Sequence, residues 1–276
     1  LERSGPAPEN PVWRWVAAVQ GKMRALVILT EVACGGKPWA SESGDVVAQE
    51  TEIKLKISDE RAFHRALKRL KAKPLSSISP RVHELNVLFD SSDGTLAKRG
   101  QLLRIRTETS EPKGKKAPVK GPGKKTAETW KQRVLVTFKR PTGEDEVSAD
   151  GRATSKYKVR EELELQISDG GMLTKILEAL GMDGWFRYEK YRTTYKVDKS
   201  QRWAEGLLIE LDETPVGTFV ELEGPGEAID RAARELGFSR RDYITKSYLA
   251  VYVEECRRQG QEPRNMLFAS PQARHK

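Results

Sequence analysis

Polar and apolar residues alternate through residues 49–57 (QETEIKLKI). Thr51, Ile53, Leu55 and Ile57 fall on one side, and Glu50, Glu52, Lys54 and Lys56 on the other. A period of two gives each set its own face of a β-strand. The period then changes. Ser58 stands as a cap, Asp59 and Glu60 follow as a first turn, and Phe63, Ala66, Leu67 and Leu70 recur at helical spacing. This predicts an amphipathic helix with one apolar stripe. Further strands are expected near 86–90, 101–107, 133–140 and 157–167. A helix with Leu173, Ile176, Leu177 and Leu180 stops at Gly181, and strands recur near 185–197, 206–213 and 217–223. A helix over 226–236 (Ile229, Ala232, Ala233, Leu236) stops at Gly237, and a last helix spans about 240–257 with Ile244, Tyr248, Val251 and Tyr252. Glycine suits both stops because it closes a helix with positive φ.

The order of strand, helix and three strands occurs over 49–140 and again over 157–223. Two such halves supply eight strands, enough to close a barrel. Residues 1–47, rich in Gly, Pro and Ser, read as a disordered or spurious extension. Their apolar run Ala25–Leu29 is too short for a signal peptide, Glu31 interrupts it, and the first methionine is Met23. One domain is expected over 48–257, with a basic loop insert at 112–132 and a polar tail at 258–276. Pro and Gly in PKGKKAPVKGPGKK (112–125) forbid regular pairing there.

Composition narrows the classes. The 276 residues are 37% hydrophobic and 32% charged, which allows a core and leaves much charge to explain. No run reaches the ~20 apolar residues that span a bilayer, so no membrane partner is expected. Cys34 and Cys256 lie far apart without a CxxC pair, which excludes a disulfide or zinc framework and suits a reducing cytoplasm. Three histidines (His64, His83, His275) make a His-rich metal site a poor fit. The net charge of +9 is local: residues 112–140 hold ten Lys/Arg against Glu128 alone. The basic balance therefore describes one segment and not a nucleic-acid surface.

The chemistry lies in the polar strand faces. Glu50, Glu52, Lys54 and Lys56 share one, Arg104 and Arg106 another, and Lys139 follows Thr137. Arg160, Glu162 and Glu164 align in VREELEL, Lys190 and Arg192 in YEKYR, Glu210 and Asp212 in LLIELDE, and Glu221 and Glu223 in FVELEG. On any single strand this is a solvated outer face. Across seven strands, with apolar alternate faces and apolar helix stripes to cover them, the charges point inward. Buried in a dry lumen they would be costly unless paired. Carboxylates two residues apart on a strand stand roughly 6–7 Å apart and can share a hard cation such as Mg²⁺. Arg and Lys suit phosphate. The combination spells metal-bound polyphosphate.

The segment Glu50-Thr51-Glu52-Ile53-Lys54 forms ExExK. With NVLFDSSDGTLAKRGQLLRIR (86–106), VTFKRP (136–141), REELE (160–164), EKYR (189–192), LDETPVGTFVELEG (211–224) and ITKSYLAVY (244–252), the chain resembles the CYTH family, the triphosphate tunnel metalloenzymes, over about 48–255. The resemblance implies an α+β fold, an eight-stranded antiparallel β-barrel tunnel with helices packed outside. It implies metal (Mg²⁺ or Mn²⁺) on Glu50, Glu52, Glu221 and Glu223, with Glu162, Glu164 and Asp212 as further ligands. It implies triphosphate on Lys54, Lys56, Arg104, Arg106, Lys139, Arg160 and Arg192, and Lys190 beside the attacked end, helping Glu52 and its metal to place a water. The chain departs from the family's pattern in its leader, in its basic insert and in the lack of a following helical domain.

Three functions compete. The first is metal-dependent hydrolysis of a small-molecule triphosphate, inorganic or organic. The second is adenylate cyclisation, with cyclic AMP and pyrophosphate as products, which ITKSY and FVELEG resemble. The third is a non-catalytic binder, against which the paired carboxylates argue. An RNA 5′-triphosphate is a conceivable partner of the basic loop, but stacking aromatics are not interleaved there. The oligomer is expected to be a monomer or homodimer.

Overall fold

In the computed structural model the described residues are 12, 48–76, 80–110, 132–142 and 156–269. The strands are β1 (Ala48–Lys56), β2 (Lys73–Pro74), β3 (Arg81–Ser91), β4 (Leu102–Ser110), β5 (Gln132–Pro141), β6 (Lys158–Ile167), β7 (Met182–Lys196), β8 (Leu208–Thr214) and β9 (Gly217–Glu223). The helices are α1 (Glu60–Arg69), α2 (Thr95–Lys98), α3 (Gly170–Ala179), α4 (Gly226–Glu235) and α5 (Tyr248–Arg258). The sheet runs β7-β3-β4-β5-β6-β1-β9-β8 and closes through β7–β8, with β2 added outside on β7. Each ladder is antiparallel. An even number of strands can close antiparallel without leaving an edge, which removes the open template of a free strand.

The alternation in β1 decides the sidedness. Ile53, Leu55 and Ile57 face outward and pack with Leu207, Ile209, Leu211, Val220 and Leu222. Phe63, Ala66 and Leu67 of α1 and Ile229, Ala232 and Ala233 of α4 cover them. The cap of α1 is Asp59, whose side chain accepts from the Ala62 amide, one residue later than the expected Ser58. Strand β3 begins at Arg81, earlier than its apolar run suggests, and the last helix begins at Tyr248 rather than near 240. At the close of β9, Gly224 adopts φ 141°, and a Cβ there would lie 2.6 Å from the Gly206 carbonyl oxygen. A side chain is excluded by that approach.

Helix α3 differs from its expected role. Leu173 and Leu177 are half-buried, whereas Met172, Ile176 and Leu180 are exposed, as are Leu163 and Leu165 of β6. No α3 residue is fully buried. A second apolar cluster holds Leu88, Phe186, Tyr188, Phe219, Tyr248, Leu249, Val253 and Met266. Val12, the one described residue before 48, is buried in it; the rest of the expected extension and the basic insert up to residue 131 lie outside the described residues. The expected polar tail contributes as well: Met266 exchanges backbone hydrogen bonds with β7 at Arg187 and Glu189. No helix among the described residues is long and apolar enough to cross a membrane.

Ile229 is fully buried, while Leu165 is 63% exposed. Urea unfolding of Ile229→Ala is expected to show a loss of about 2–5 kcal/mol. Leu165→Ala is expected to stay within about 0.5 kcal/mol.

Candidate active site

Register brings the polar faces together. Glu52 lies opposite Glu223 and Lys54 opposite Glu221. Glu50 faces Arg160 and Glu52 faces Lys158 across β6. Lys139 pairs with Glu162, Glu84 with Lys190, and Arg192 with Asp212. All of these but Arg160 and Asp212 line a cavity of about 820 Å³ inside the barrel. The second apolar cluster closes one end. Phe219 lies across from Lys56, Leu88 from Phe186, and α5 lays Tyr248 over the floor. The ITKSY segment delivers that tyrosine: Ile244 pairs with the Lys54 backbone, and Ser247 then caps α5 by accepting from the Ala250 amide. The lumen is a blind cup.

Twelve of the expected site residues line it: Glu50, Glu52, Lys54, Arg104, Arg106, Lys139, Glu162, Glu164, Lys190, Arg192, Glu221 and Glu223. Three do not. Lys56 is exposed beyond the floor, because Phe219 fills the lumen at its level. Arg160 donates to the Gly100 carbonyl at 3.0 Å. Asp212 is wholly buried and takes hydrogen bonds from Lys190, Arg192 and the Tyr248 hydroxyl, so it anchors bases instead of facing the cavity. Sequence reasoning left Glu84, Glu108, Arg133 and Lys158 out of the site and gave Glu210, read as inward-facing, no role; all five line the cup. Lys158 was detectable, since it stands two residues before Arg160 on the same strand face, whereas Glu84 precedes the expected start of its strand.

Most of the charges have partners. Lys54 meets Glu52 at 3.1 Å and Glu221 at 2.9 Å. Lys190 meets Asp212 at 2.9 Å and Glu84 at 3.5 Å. Arg192 grips Asp212 bidentately at 2.7 Å and also pairs with Glu221 and Glu210. Arg106 meets Glu164 at 2.7 Å, Lys139 meets Glu162 at 2.9 Å and also Glu50, and Lys158 pairs with Glu52. Burial pushes Glu52 upward, but Lys158 and Lys54 outweigh it and hold the carboxyl below its ordinary range. Burial and Arg192 favour a neutral Lys190, yet Asp212, Glu84 and Glu221 win and raise it, so it is an ammonium and cannot act as a base.

One wall behaves differently. Burial, with Glu210 and Glu50 nearby, lifts Glu223 to about 8. Burial lifts Glu210 to about 7 despite Arg192. Burial also raises Glu50 against the pull of Lys139. The wall has more carboxylate than base. Its donors are hard oxygens, the set that suits Mg²⁺ or Mn²⁺. No group of three His, Cys, Asp or Glu side chains stands at metal-holding spacing among the described residues.

Fold and lumen define a closed antiparallel barrel with a blind, ion-paired interior. A family model, the CYTH domain, matches residues 48–248, and the chain belongs to that family. Among solved structures, a Pyrococcus horikoshii OT3 protein is similar, with a TM-score of 0.53 and 22% identity over 75% of this chain and 99% of that one. A Vibrio parahaemolyticus protein put forward as an adenylate cyclase gives a TM-score of 0.51 and 18% identity over 73% and 96%. At these identities the likeness shows the fold alone. A comparison with curated proteins finds no match.

The raised carboxyls yield a pH prediction. Glu223 and Glu210 ordinarily titrate at 4.5, and their folded values are near 8 and 7. Between those limits the folded chain holds more protons than the unfolded one, so stability falls as pH rises from about 5 to 8. Thermal melts of metal-free protein are expected to show this fall. Added Mg²⁺ or Mn²⁺ is expected to raise Tm more at pH 8 than at pH 6, because the ion needs deprotonated ligands. An equal gain at both pH values would count against this wall as a cation site.

Proposed function

We propose that this protein is a divalent-metal-dependent hydrolase of a triphosphate bound in the cup. The observation that supports this reading is the charge balance of the lumen. Nine carboxylates face eight Lys and Arg side chains. With these lysines and arginines already ion-paired, the cavity offers little to a bare polyanion. It can take a polyphosphate that brings its own cations, because both halves of each ion pair then find new partners. The phosphate oxygens take the bases, and the cations take the carboxylates. No buried charge is left alone, which is the condition for binding in a low-dielectric interior.

The residues divide accordingly. Lys54, Arg104, Arg106, Lys139 and Arg192 hold phosphate oxygens, with the arginines as forks and the lysines as point charges. Protonated Lys190 donates to the oxygens of the attacked phosphate. Glu50, Glu223 and Glu210, with Glu52 and Glu221 beside them, would hold Mg²⁺ or Mn²⁺. When bound, such an ion neutralises phosphate charge as a Lewis acid. The preorganised bases do the same for charge that develops on the leaving diphosphate.

The test is incubation of the purified chain with Mg²⁺ or Mn²⁺ and, separately, tripolyphosphate, thiamine triphosphate and ATP. Free phosphate, pyrophosphate and cyclic AMP are assayed together. Phosphate release that EDTA abolishes is expected. Cyclic AMP with equal pyrophosphate would replace this reading by the cyclase one. In Glu52→Gln, phosphate release is expected to fall at least about 100-fold, the scale of removing one transition-state group, with an unchanged circular dichroism spectrum. Retained activity would take Glu52 out of the site.

A further inference from the structure

Tyr248 opens α5 and lines the cup, although it is buried for the most part. Its place is set from the barrel. Ile244, four residues earlier, exchanges backbone hydrogen bonds of 2.9 Å with Lys54 in both directions, and Ser247 then caps the helix. The segment that delivers the tyrosine is thus registered on a strand residue that carries a lumen base. Packing accounts for part of the ring, which meets Phe219 edge-on at 5.7 Å. It does not account for the polar contacts. The hydroxyl donates to Asp212 Oδ2 at 2.7 Å. The same oxygen accepts from Lys190 at 2.9 Å and from Arg192 at 2.7 Å. The ring centroid lies 5.2 Å from the Lys54 ammonium and 5.2 Å from the Lys190 ammonium.

We infer that Tyr248 is the positioning residue for Lys190 and Lys54, holding both ammonium groups where they meet the triphosphate. This rests on the hydrolase reading above, in which the two lysines touch phosphate and the tyrosine acts through them. The first argument is the ranking of contacts. A lysine ammonium is a point charge on a flexible stem, with three rotatable donors. Lys190 has one short partner, Asp212 at 2.9 Å, and two long ones, Glu84 at 3.5 Å and Glu221 at 3.9 Å. The long pairs are the ones that an incoming phosphate oxygen replaces. The short one stays, so Lys190 goes where Asp212 goes. Asp212 is wholly buried, and its donors fix it. Of the three side chains that donate to it, Lys190 and Arg192 also hold phosphate in this reading. The tyrosine hydroxyl is the donor left to anchor Asp212 when those two turn to a ligand.

The second argument is the ring. An aromatic face attracts a cation within about 6 Å, and most strongly where water is excluded. One ring here serves two lysines from different strands, Lys54 of β1 and Lys190 of β7. Glu221 also pairs with both, at 2.9 Å and 3.9 Å. It belongs, however, to the carboxylates that would hold Mg²⁺ or Mn²⁺, and the ring has no such second use. A carboxylate in the ring's place would also take up the N–H donors. The ring face steadies the charge and leaves those donors for phosphate oxygens. A tyrosine therefore does what neither a leucine nor an acid does at this position: its hydroxyl fixes the anchor of Lys190, and its face gathers both cations.

The experiment compares wild type, Tyr248→Phe, Tyr248→Leu and Leu249→Ala by phosphate release from tripolyphosphate with Mg²⁺, and by thermal melting. Tyr248→Phe keeps the ring and loses the hydroxyl. It is expected to lower kcat about 10-fold, the scale of one hydrogen bond to a charged group, with KM within about three-fold. Tyr248→Leu loses the ring as well and is expected to lower kcat on the order of 100-fold, the cost of a misplaced reacting group. Leu249, the next residue of α5, is buried in the floor cluster and serves as the packing control. Leu249→Ala is expected to lower Tm and to keep kcat within about three-fold. Wild-type kcat in Tyr248→Phe would overturn the inference, and this variant decides alone if the leucine one does not fold. So would a loss carried by KM, or a kcat loss in Leu249→Ala equal to that in Tyr248→Leu. Wild type that releases no phosphate from any triphosphate would overturn the hydrolase reading, and the inference with it.

Discussion

Charge in the barrel interior has to be paired, and the rest of the structure follows from that constraint. An unpaired buried carboxylate or ammonium costs several kcal/mol even after relaxation. The lumen answers with interleaved acids and bases from all eight barrel strands. The lattice ties the cup together, since several bases are held by more than one acid, as Arg192 is by Asp212, Glu210 and Glu221. Binding becomes ion exchange, in which a ligand must replace what it displaces. The crowded wall of Glu50, Glu210 and Glu223 is the part of the lattice left short of cation.

The outer layer makes this interior affordable. Helices α1 and α4 bury a continuous apolar face over β1, β8 and β9. That burial, at roughly 25 cal/mol per Å², opposes the cost of the charged lumen. The other side of the barrel is covered less completely, because α3 sits on β4, β5 and β7 and leaves Leu163 and Leu165 of β6 exposed. The C-terminal segment does structural work as well, since α5 seals the floor and residues near Met266 extend β7.

The motif NVLFDSSDGTLAKRG shows how chemistry and architecture mix in one stretch. Its Asp90 is buried and accepts from the Leu96 and Ala97 amides, so it caps α2 and belongs to the fold. Its Asn86, four residues earlier, is buried with no hydrogen-bond partner for its amide, on the strand position whose register neighbours Arg106 and Tyr188 line the cavity.

The alternation by itself determined much of this protein. A period of two with charges on one face and Ile, Leu or Val on the other fixed seven inward-facing strand segments, and amphipathic helices fixed which face was outside. Twelve of the expected residues line the lumen for that reason. The departures are also physical. Glu84 was hidden in a strand whose start was read too late. Lys56 and Asp212 obey the same alternation as Glu52 and Glu210, but depth along the barrel separates them, and depth depends on where Phe219 and Tyr248 seal the lumen. The pairing of each acid with each base depends on register between strands up to about 170 residues apart in sequence, such as Lys54 with Glu221. Strand periodicity tells which way a side chain points; only closure of the barrel tells what it meets.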